Sequence, residues 1–406
     1  MRVAVTGIGL VTPIGSELAE ISRALRHDIS GVRPQPEWSK IGALATRVAG
    51  EVTLRDLGGQ DRKKLRSMGR VARLALAATE RAIADAGLAP EDLADPRTGL
   101  AYGSTHGSST AYVDFARPLF ARDSFEGLPS TSYLKFMSHT CAANLAQYYG
   151  IRGRVISTCS ACVSGSQAIG AGIEAIRAGV VDRMICGGAE ELHWTHAGIF
   201  DVMMATSTRF NAHPEQTPRP FDEARDGLVV AEGAGTLVLE SWERAEARGA
   251  TIHAELLGYG TNCDGTHVTN PSADGMADAI RLGLRDAGLA PEAIDYVNAH
   301  ATGTDVGDLA ESRAMNEVFG TRVPVSSLKG FMGHTLGACG AIEAGLSILM
   351  MHDGFLAPTK NLERVDPRCA ELDHVLGAPR SADVATVMSN NFAFGGINTS
   401  LVIRRV

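Results

Sequence analysis

The chain has 406 residues, 45% of them hydrophobic and 21% charged, an ordinary globular composition with room for two domains or one large two-part body. Its formal net charge of −8 argues against general binding to nucleic acid or an acidic membrane, and no apolar stretch approaches the roughly 18 residues of a membrane span. Seven cysteines, an odd number at irregular spacing, do not make a disulfide framework and point to a reducing, cytoplasmic setting.

In chain order, Met1-Arg2-Val3-Ala4-Val5-Thr6-Gly7 lacks the length of a signal peptide and reads as a first strand. Gly7-Ile8-Gly9 resembles the opening of a dinucleotide fingerprint, but the third glycine is missing and Pro13 interrupts the expected helix, so nicotinamide binding is set aside. A basic run, Arg62-Lys63-Lys64-Leu65-Arg66, precedes a helix expected over Ser67 to Ala86; it is either a solvated helix start or a docking surface for an acidic partner. Asp85-Ala86-Gly87-Leu88-Ala89-Pro90-Glu91 reappears as Asp286-Ala287-Gly288-Leu289-Ala290-Pro291-Glu292, each copy leaving a helix and entering a strand that ends in a small-residue loop. Glycine caps and proline starts account for part of this; an internal duplication accounts for all of it.

Strands are expected at Arg154 to Ile156, Arg183 to Cys186, Gly235 to Leu239, Val323 to Ser326, Thr386 to Met388 and Ser400 to Ile403. A helix is expected over Ser164 to Ala178, where Ile169, Ile173 and Ile176 mark one buried face. Such alternation predicts a layered α/β protein. The polar segment Glu243 to Ala250 is the candidate junction, dividing the chain into halves 1–250 and 251–406.

The chemistry concentrates at Cys162, in Ser160-Ala161-Cys162-Val163-Ser164-Gly165 between a strand and a helix start, where unpaired N–H groups favour a thiolate. Cys159 and Cys162 also spell C-x-x-C, which leaves a dithiol redox pair as an alternative; otherwise Cys159 is an inert strand residue. Cys141, Cys186, Cys263, Cys339 and Cys369 read as small buried hydrophobes. His300 and His334 each stand among small and hydroxylated residues, His334 together with Lys329. The histidines form no metal-ligand spacing, so no metal is expected. Ser389 to Asn398, with Gly395-Gly396 beside Phe394, is expected to join two strands, either as a path that aims an N–H at a developing oxyanion, which its setting near Cys162 favours, or as a bulged hairpin with aromatic core residues.

Seven segments together resemble, in order and spacing, the elongating β-ketoacyl-acyl-carrier-protein synthases of the thiolase superfamily: Val5–Gly9, Ser160–Gly165, Cys186–Glu190, Arg219–Gly227, Asn298–Thr304, Lys329–His334 and Asn391–Gly396. The resemblance implies two duplicated α/β halves in a five-layer αβαβα arrangement. It implies decarboxylative condensation of malonyl-acyl-carrier protein with an acyl group on Cys162, assisted by His300 and His334, with Lys329 ordering the site and Glu311 supporting it. The N–H groups of Cys162 and Phe394 would form the oxyanion hole, Thr302 and Thr304 would bind the pantetheine arm, and Arg62, Lys63, Lys64 and Arg66 would dock the carrier. It further implies no cofactor beyond the carrier's arm, and a homodimer or a heterodimer with a related subunit. Ile199 to Ala205, Ala301 and Ala393 depart from the housekeeping pattern and resemble synthases of polyene or other specialised pathways. The other readings are a chain-length-determining partner subunit without chemistry of its own, and the thiol–disulfide protein.

Overall fold

The structure, a computed structural model, describes residues 1–54 and 63–406. Arg62 lies outside the described residues. Eleven strands form one sheet: β1 Val3–Val11, β2 Thr98–Gly103, β3 Val155–Thr158, β4 Arg183–Glu190, β5 Gly233–Ser241, β6 Ala254–Cys263, β7 Tyr296–Asn298, β8 Pro324–Ser326, β9 Asp373–His374, β10 Thr386–Ala393 and β11 Ile397–Arg405. Their order across it is β9-β8-β7-β10-β11-β6-β1-β5-β4-β2-β3.

That order is nearly its own mirror about the β6–β1 pair, where Val3, Ala4 and Val5 face Leu256, Glu255 and Ala254. Outward from it, β1-β5-β4-β2-β3 repeats as β6-β11-β10-β7-β8, with the antiparallel and parallel pairings in the same places. Helices that pack on the sheet or on each other include α1 Arg70–Asp85, α2 Ser164–Arg177, α4 Ala273–Ala287, α5 Asp305–Phe319 and α6 Cys339–Asp353, while α3 Trp194–Val202 contributes to a cavity wall. Helices α2 and α6 touch strands of both halves and form the middle layer; α1 covers the outer face of β1, β5 and β4, and α4 that of β6 and β11, with α5 against it. The layering is thiolase-like, as the resemblance implied. Ile169, Ile173 and Ile176 of α2 are fully buried in the middle layer with Ile342, Leu346 and Ile348 of α6.

The repeated sequence has one structural job in both halves. Asp85, at the end of α1, accepts the N–H of Ile8 at 2.8 Å, and Asp286, at the end of α4, accepts that of Tyr259 at 2.9 Å. In each first strand the register slips two residues before the clamped one, between Val5 and Gly7 in β1 and between Leu256 and Gly258 in β6. Gly87 and Gly288 then turn the chain with φ of +63° and +66°. A duplicated clamp of this kind is beyond generic helix-exit chemistry. The Gly7-Ile8-Gly9 pair is also explained: a Cβ at Gly7 or Gly9 would collide with the carbonyls of Ala82 or Ala78, and one at Gly258 or Gly260 with those of Gly283 or Ala279. These glycines let a helix lie directly on the strand.

Several expectations need correction. The first long helix starts at Arg70 rather than Ser67, because Gly69 is extended (ψ 179°), and Lys64 and Arg66 of the basic run sit on a separate 3₁₀ turn, Lys64–Ser67. Ser389 to Asn398 is mostly strand, with a turn of only Phe394-Gly395-Gly396 between β10 and β11. Cys159 follows β3 and is exposed, its Sγ donating to Thr105 O at 3.2 Å, so it is not an inert strand residue; Cys263 is exposed and Cys369 half-buried, whereas Cys141, Cys186 and Cys339 are buried.

Candidate active site

Cys162 stands in a 3₁₀ turn, Ala161–Val163, that runs straight into α2. Ala161 takes a left-handed φ of +48°, which turns the chain sharply off β3; Ser164 Oγ pins the turn by donating to Ala161 O and accepting from Ser160 N–H. The matching turn before α6, Leu336–Ala338, has Leu336 at φ +46°, and its upstream neighbour is His334. The two turns touch. Thus the duplicated architecture brings a thiol from one half against an imidazole from the other: His334 Nε2 lies 3.0 Å from Cys162 Sγ.

His300 follows β7. Its backbone N–H and that of Ala301 are gripped by Glu311 of α5, at 2.7 and 2.6 Å. The His300 and His334 rings meet edge to face, centroids 5.1 Å apart. Lys329 donates to Glu343 of α6 at 2.5 Å, and Glu343 in turn accepts from Asn391 at 2.7 Å. Glu311 therefore supports the His300 loop, while the carboxylate paired with Lys329 is Glu343, which sequence reasoning missed. A lone acid in the apolar run Cys339–Met351 was the available signal.

Burial dominates the electrostatics. It pushes the Cys162 thiol up to about 12, against the Lys329 charge and the N–H groups of Cys162 and Phe394, which all pull the sulfur down. The helix start alone therefore does not leave a resting thiolate. Burial, with Lys329 adding to it, holds both imidazoles well below 6.5, so they are neutral. Glu190 and Glu311 are pushed by burial up to about 8. Lys329, despite desolvation, is raised by Glu343 and stays an ammonium.

Cys162, His300 and His334 open onto a cavity of about 360 Å³ walled by Phe200, Met203 and Leu228 from one side and Val268, Met276 and Phe392 from the other. Thr302 and Thr304 line it, with their hydroxyls 3.0 Å apart. Their loop is held by Asp308, which accepts from Thr302 and Gly303, and by Arg225, which reaches Thr304 O; this is where the Arg219–Gly227 motif acts. Phe394 stacks on Phe200 (5.4 Å), and its turn is tied down by Gly395 N–H on Val268 O and Asp264 N–H on Gly396 O. Of the basic run, Lys63, Lys64 and Arg66 are exposed, and Lys64 donates to Tyr148 O at 2.7 Å. Among the described residues the donor sets close enough for a metal ion are Cys162, His300 and His334, and His300, Cys339 and Glu343. No helix is long and apolar enough to cross a membrane among the described residues.

Residues 1–245 match the family model for the N-terminal domain of β-ketoacyl synthase, and residues 253–363 that for its C-terminal domain. The chain is 39% identical over 407 residues to 3-oxoacyl-(acyl-carrier-protein) synthase 1 of Escherichia coli strain K12, covering 100% of this chain and 99% of that one. A crystal structure of a β-ketoacyl synthase from Burkholderia phymatum STM815 superposes with a TM-score of 0.97 at 51% identity, covering 100% and 99% of the two chains. AntDE:AntF, a type II polyketide acyl-carrier protein in complex with its ketosynthase, superposes with a TM-score of 0.90 at 32% identity, again over 100% and 99%.

Proposed function

The chain belongs to the β-ketoacyl synthase family, and from that premise we propose that it elongates acyl chains by decarboxylative condensation on Cys162. One observation carries the assignment of roles: a buried thiol lies 3.0 Å from a neutral imidazole, with two backbone N–H groups bearing on the sulfur. An acyl group arrives as a carrier-protein thioester. The thiol attacks its carbonyl carbon as the proton passes to His334 Nε2, and the N–H groups of Cys162 and Phe394 hold the oxyanion. The carrier thiol leaves with that proton and the acyl group remains on sulfur.

Malonyl carrier then enters, its arm lying past Thr302 and Thr304. His300 donates its ring N–H to the thioester carbonyl oxygen, and His334 donates there too after proton exchange with solvent has moved its ring proton from Nδ1 to the site-facing Nε2. The C–CO₂⁻ bond breaks, its electron pair becomes an enolate on that oxygen, and CO₂ departs. The enolate carbon attacks the acyl-enzyme carbonyl, expelling the Cys162 sulfur as a thiolate that takes a proton from solvent, and giving a 3-oxoacyl carrier two carbons longer. Lys329, locked to Glu343, orders this corner. Loss of CO₂ drives the reaction, so no cofactor beyond the carrier's phosphopantetheine arm is required.

The carrier is docked by Lys63, Lys64 and Arg66, with Arg62 of the same run. The halves divide at 1–250 and 251–406, a reading supported by the mirrored strand order. A homodimer joined along β3 is the assembly we favour: β3 is the sheet's edge and Val155 and Ser157 on it are exposed. A cytoplasmic location suits seven free thiols. A specialised polyene-type pathway fits the bulky Phe200 and Met203 in the cavity wall. Incubation with acyl carrier and mass analysis of tryptic peptides tests the core of this: an acyl adduct on the Cys162 peptide, absent in Cys162→Ala, is expected. A protein that condenses without that adduct, or a pathway that runs unimpaired with Cys162→Ala, overturns it; the latter result favours the chain-length partner.

A further inference from the structure

The sulfur of Cys162 and one ring nitrogen each of His300 and His334 lie within 4.8 Å of one another, and all three residues are buried. We propose that this trio is also a binding site for a thiophilic divalent cation, Zn²⁺ above all, and that capture of the metal there switches the nucleophile off. One thiolate and two imidazoles form a borderline-soft donor set that takes Zn²⁺ or Co²⁺ and rejects Mg²⁺. Tetrahedral zinc, with bonds of about 2.3 Å to sulfur and 2.0–2.1 Å to nitrogen, holds its donors roughly 3.3–3.6 Å apart. The Sγ–Nε2 pair at 3.0 Å has to open by about half an ångström, and no pair, all lying within 4.8 Å, has to close by more than about 1.5 Å, shifts that side-chain rotation supplies. The fourth corner faces the cavity that all three residues line, leaving room for a water.

The other donor set is poorer. In His300, Cys339 and Glu343 the carboxylate is already engaged by Lys329 and Asn391. Binding at the first trio is a simple exchange: the thiol proton goes to solvent, a sulfur–metal bond forms, and no electron moves. Two features keep the site reversible. Lys329 places a positive charge nearby, and among the described residues Nδ1 of both His300 and His334 has no hydrogen-bond partner, whereas histidines of resident zinc sites have the second nitrogen anchored. The trio is therefore an inhibitory site rather than a seat for a permanent cofactor. The inference stands on geometry alone, so a protein that condenses but binds no metal defeats it without touching the proposed activity.

The test uses reduced, metal-free protein with the exposed thiols removed as Cys159→Ser and Cys263→Ser, titrated with Co²⁺. A sulfur-to-cobalt charge-transfer band and four-coordinate visible bands should saturate at one ion per chain, be displaced by Zn²⁺ but not by Mg²⁺, and vanish in Cys162→Ala; His300→Ala and His334→Ala should each weaken binding by more than about tenfold. As a second arm that needs no variant at the site, Zn²⁺ should slow iodoacetamide alkylation of Cys162 by more than about tenfold, and prior alkylation should abolish the band. Absence of the band, its persistence in Cys162→Ala or after alkylation, or unaltered alkylation under Zn²⁺ overturns the inference.

Discussion

On the proposed mechanism each imidazole supplies one hydrogen bond to the oxygen that gains charge as CO₂ leaves. Replacing His300 by alanine removes one such donor and should lower malonyl decarboxylation about 10²–10³-fold, while acyl loading of Cys162 survives; His334→Ala should impair both, because His334 alone touches the sulfur. Separate mass-spectrometric loading and CO₂-release assays read the difference. Asn391 has a subtler part. Its amide holds Glu343, and three residues on, in the turn just past the end of β10, stands Phe394, whose N–H bears on the sulfur, so Asn391 ties the Lys329–Glu343 pair to that arm. Asn391→Ala leaves a buried carboxylate short of a donor, a penalty of about 1–3 kcal/mol. Condensation kcat should fall about tenfold or more with the KM for the acyl carrier little changed, and Asn391→Asp, which sets two carboxylates together, should be worse.

At the scale of elements, two buried acids grip the loops that carry the chemistry. Glu311 holds the N–H groups after β7, and Glu190, at the end of β4, holds Thr105 N–H after β2 and Gly337 N–H before α6. Burial raises Glu190 from 4.5 to about 8, so the folded state keeps a proton that the unfolded chain gives up. Its contribution to stability is complete below about pH 4.5 and is lost as pH rises through about 8. Melting temperatures at pH 6 and pH 8.5 should fall with pH, and Glu190→Gln should flatten that fall. The glycines under the first helix of each half make a second element-scale prediction. Gly7→Ala and Gly258→Ala should each destabilise by about 1–3 kcal/mol or more in urea unfolding, to a similar extent in both halves.

Much of this was legible in sequence because local chemistry and fold agreed: the Asp-x-Gly-x-x-Pro exits, the isoleucine stripe of α2 and the small residues around Cys162, His300 and His334 each sit where the pattern put them. What escaped was set by contacts across the chain. Glu343 acquires its partner from a residue fourteen positions away, and Glu190 its importance from Thr105 and Gly337. The true state of the thiol depends on how deeply the middle layer covers it, which no local motif reports. The connection between β10 and β11 is shorter than the sequence suggests, because glycines and aromatics look the same in a long loop and in a tight turn.

For the molecule as a whole, one end of the sheet is β3, a short strand that among the described residues has no partner on its outer edge and carries Val155 at 45% exposure. Sedimentation should give a dimer, and Val155→Lys, which charges that edge without touching the site, should shift it toward monomer. A monomeric parent protein would rule out pairing along β3.

The twin turns at Ala161 and Leu336 have a consequence of their own. Both halves possess the same sharp corner ahead of a central helix, yet one corner presents a sulfur and the other, at Gly337, presents no side chain at all. The fold is thus a pair of sockets of which one is armed and its counterpart left blank, and the blank socket has been turned into a bracket for the histidine that serves its neighbour. Symmetry of the scaffold and asymmetry of the chemistry are compatible here, since the corners differ by one side chain, a thiol at Cys162 and a bare backbone at Gly337.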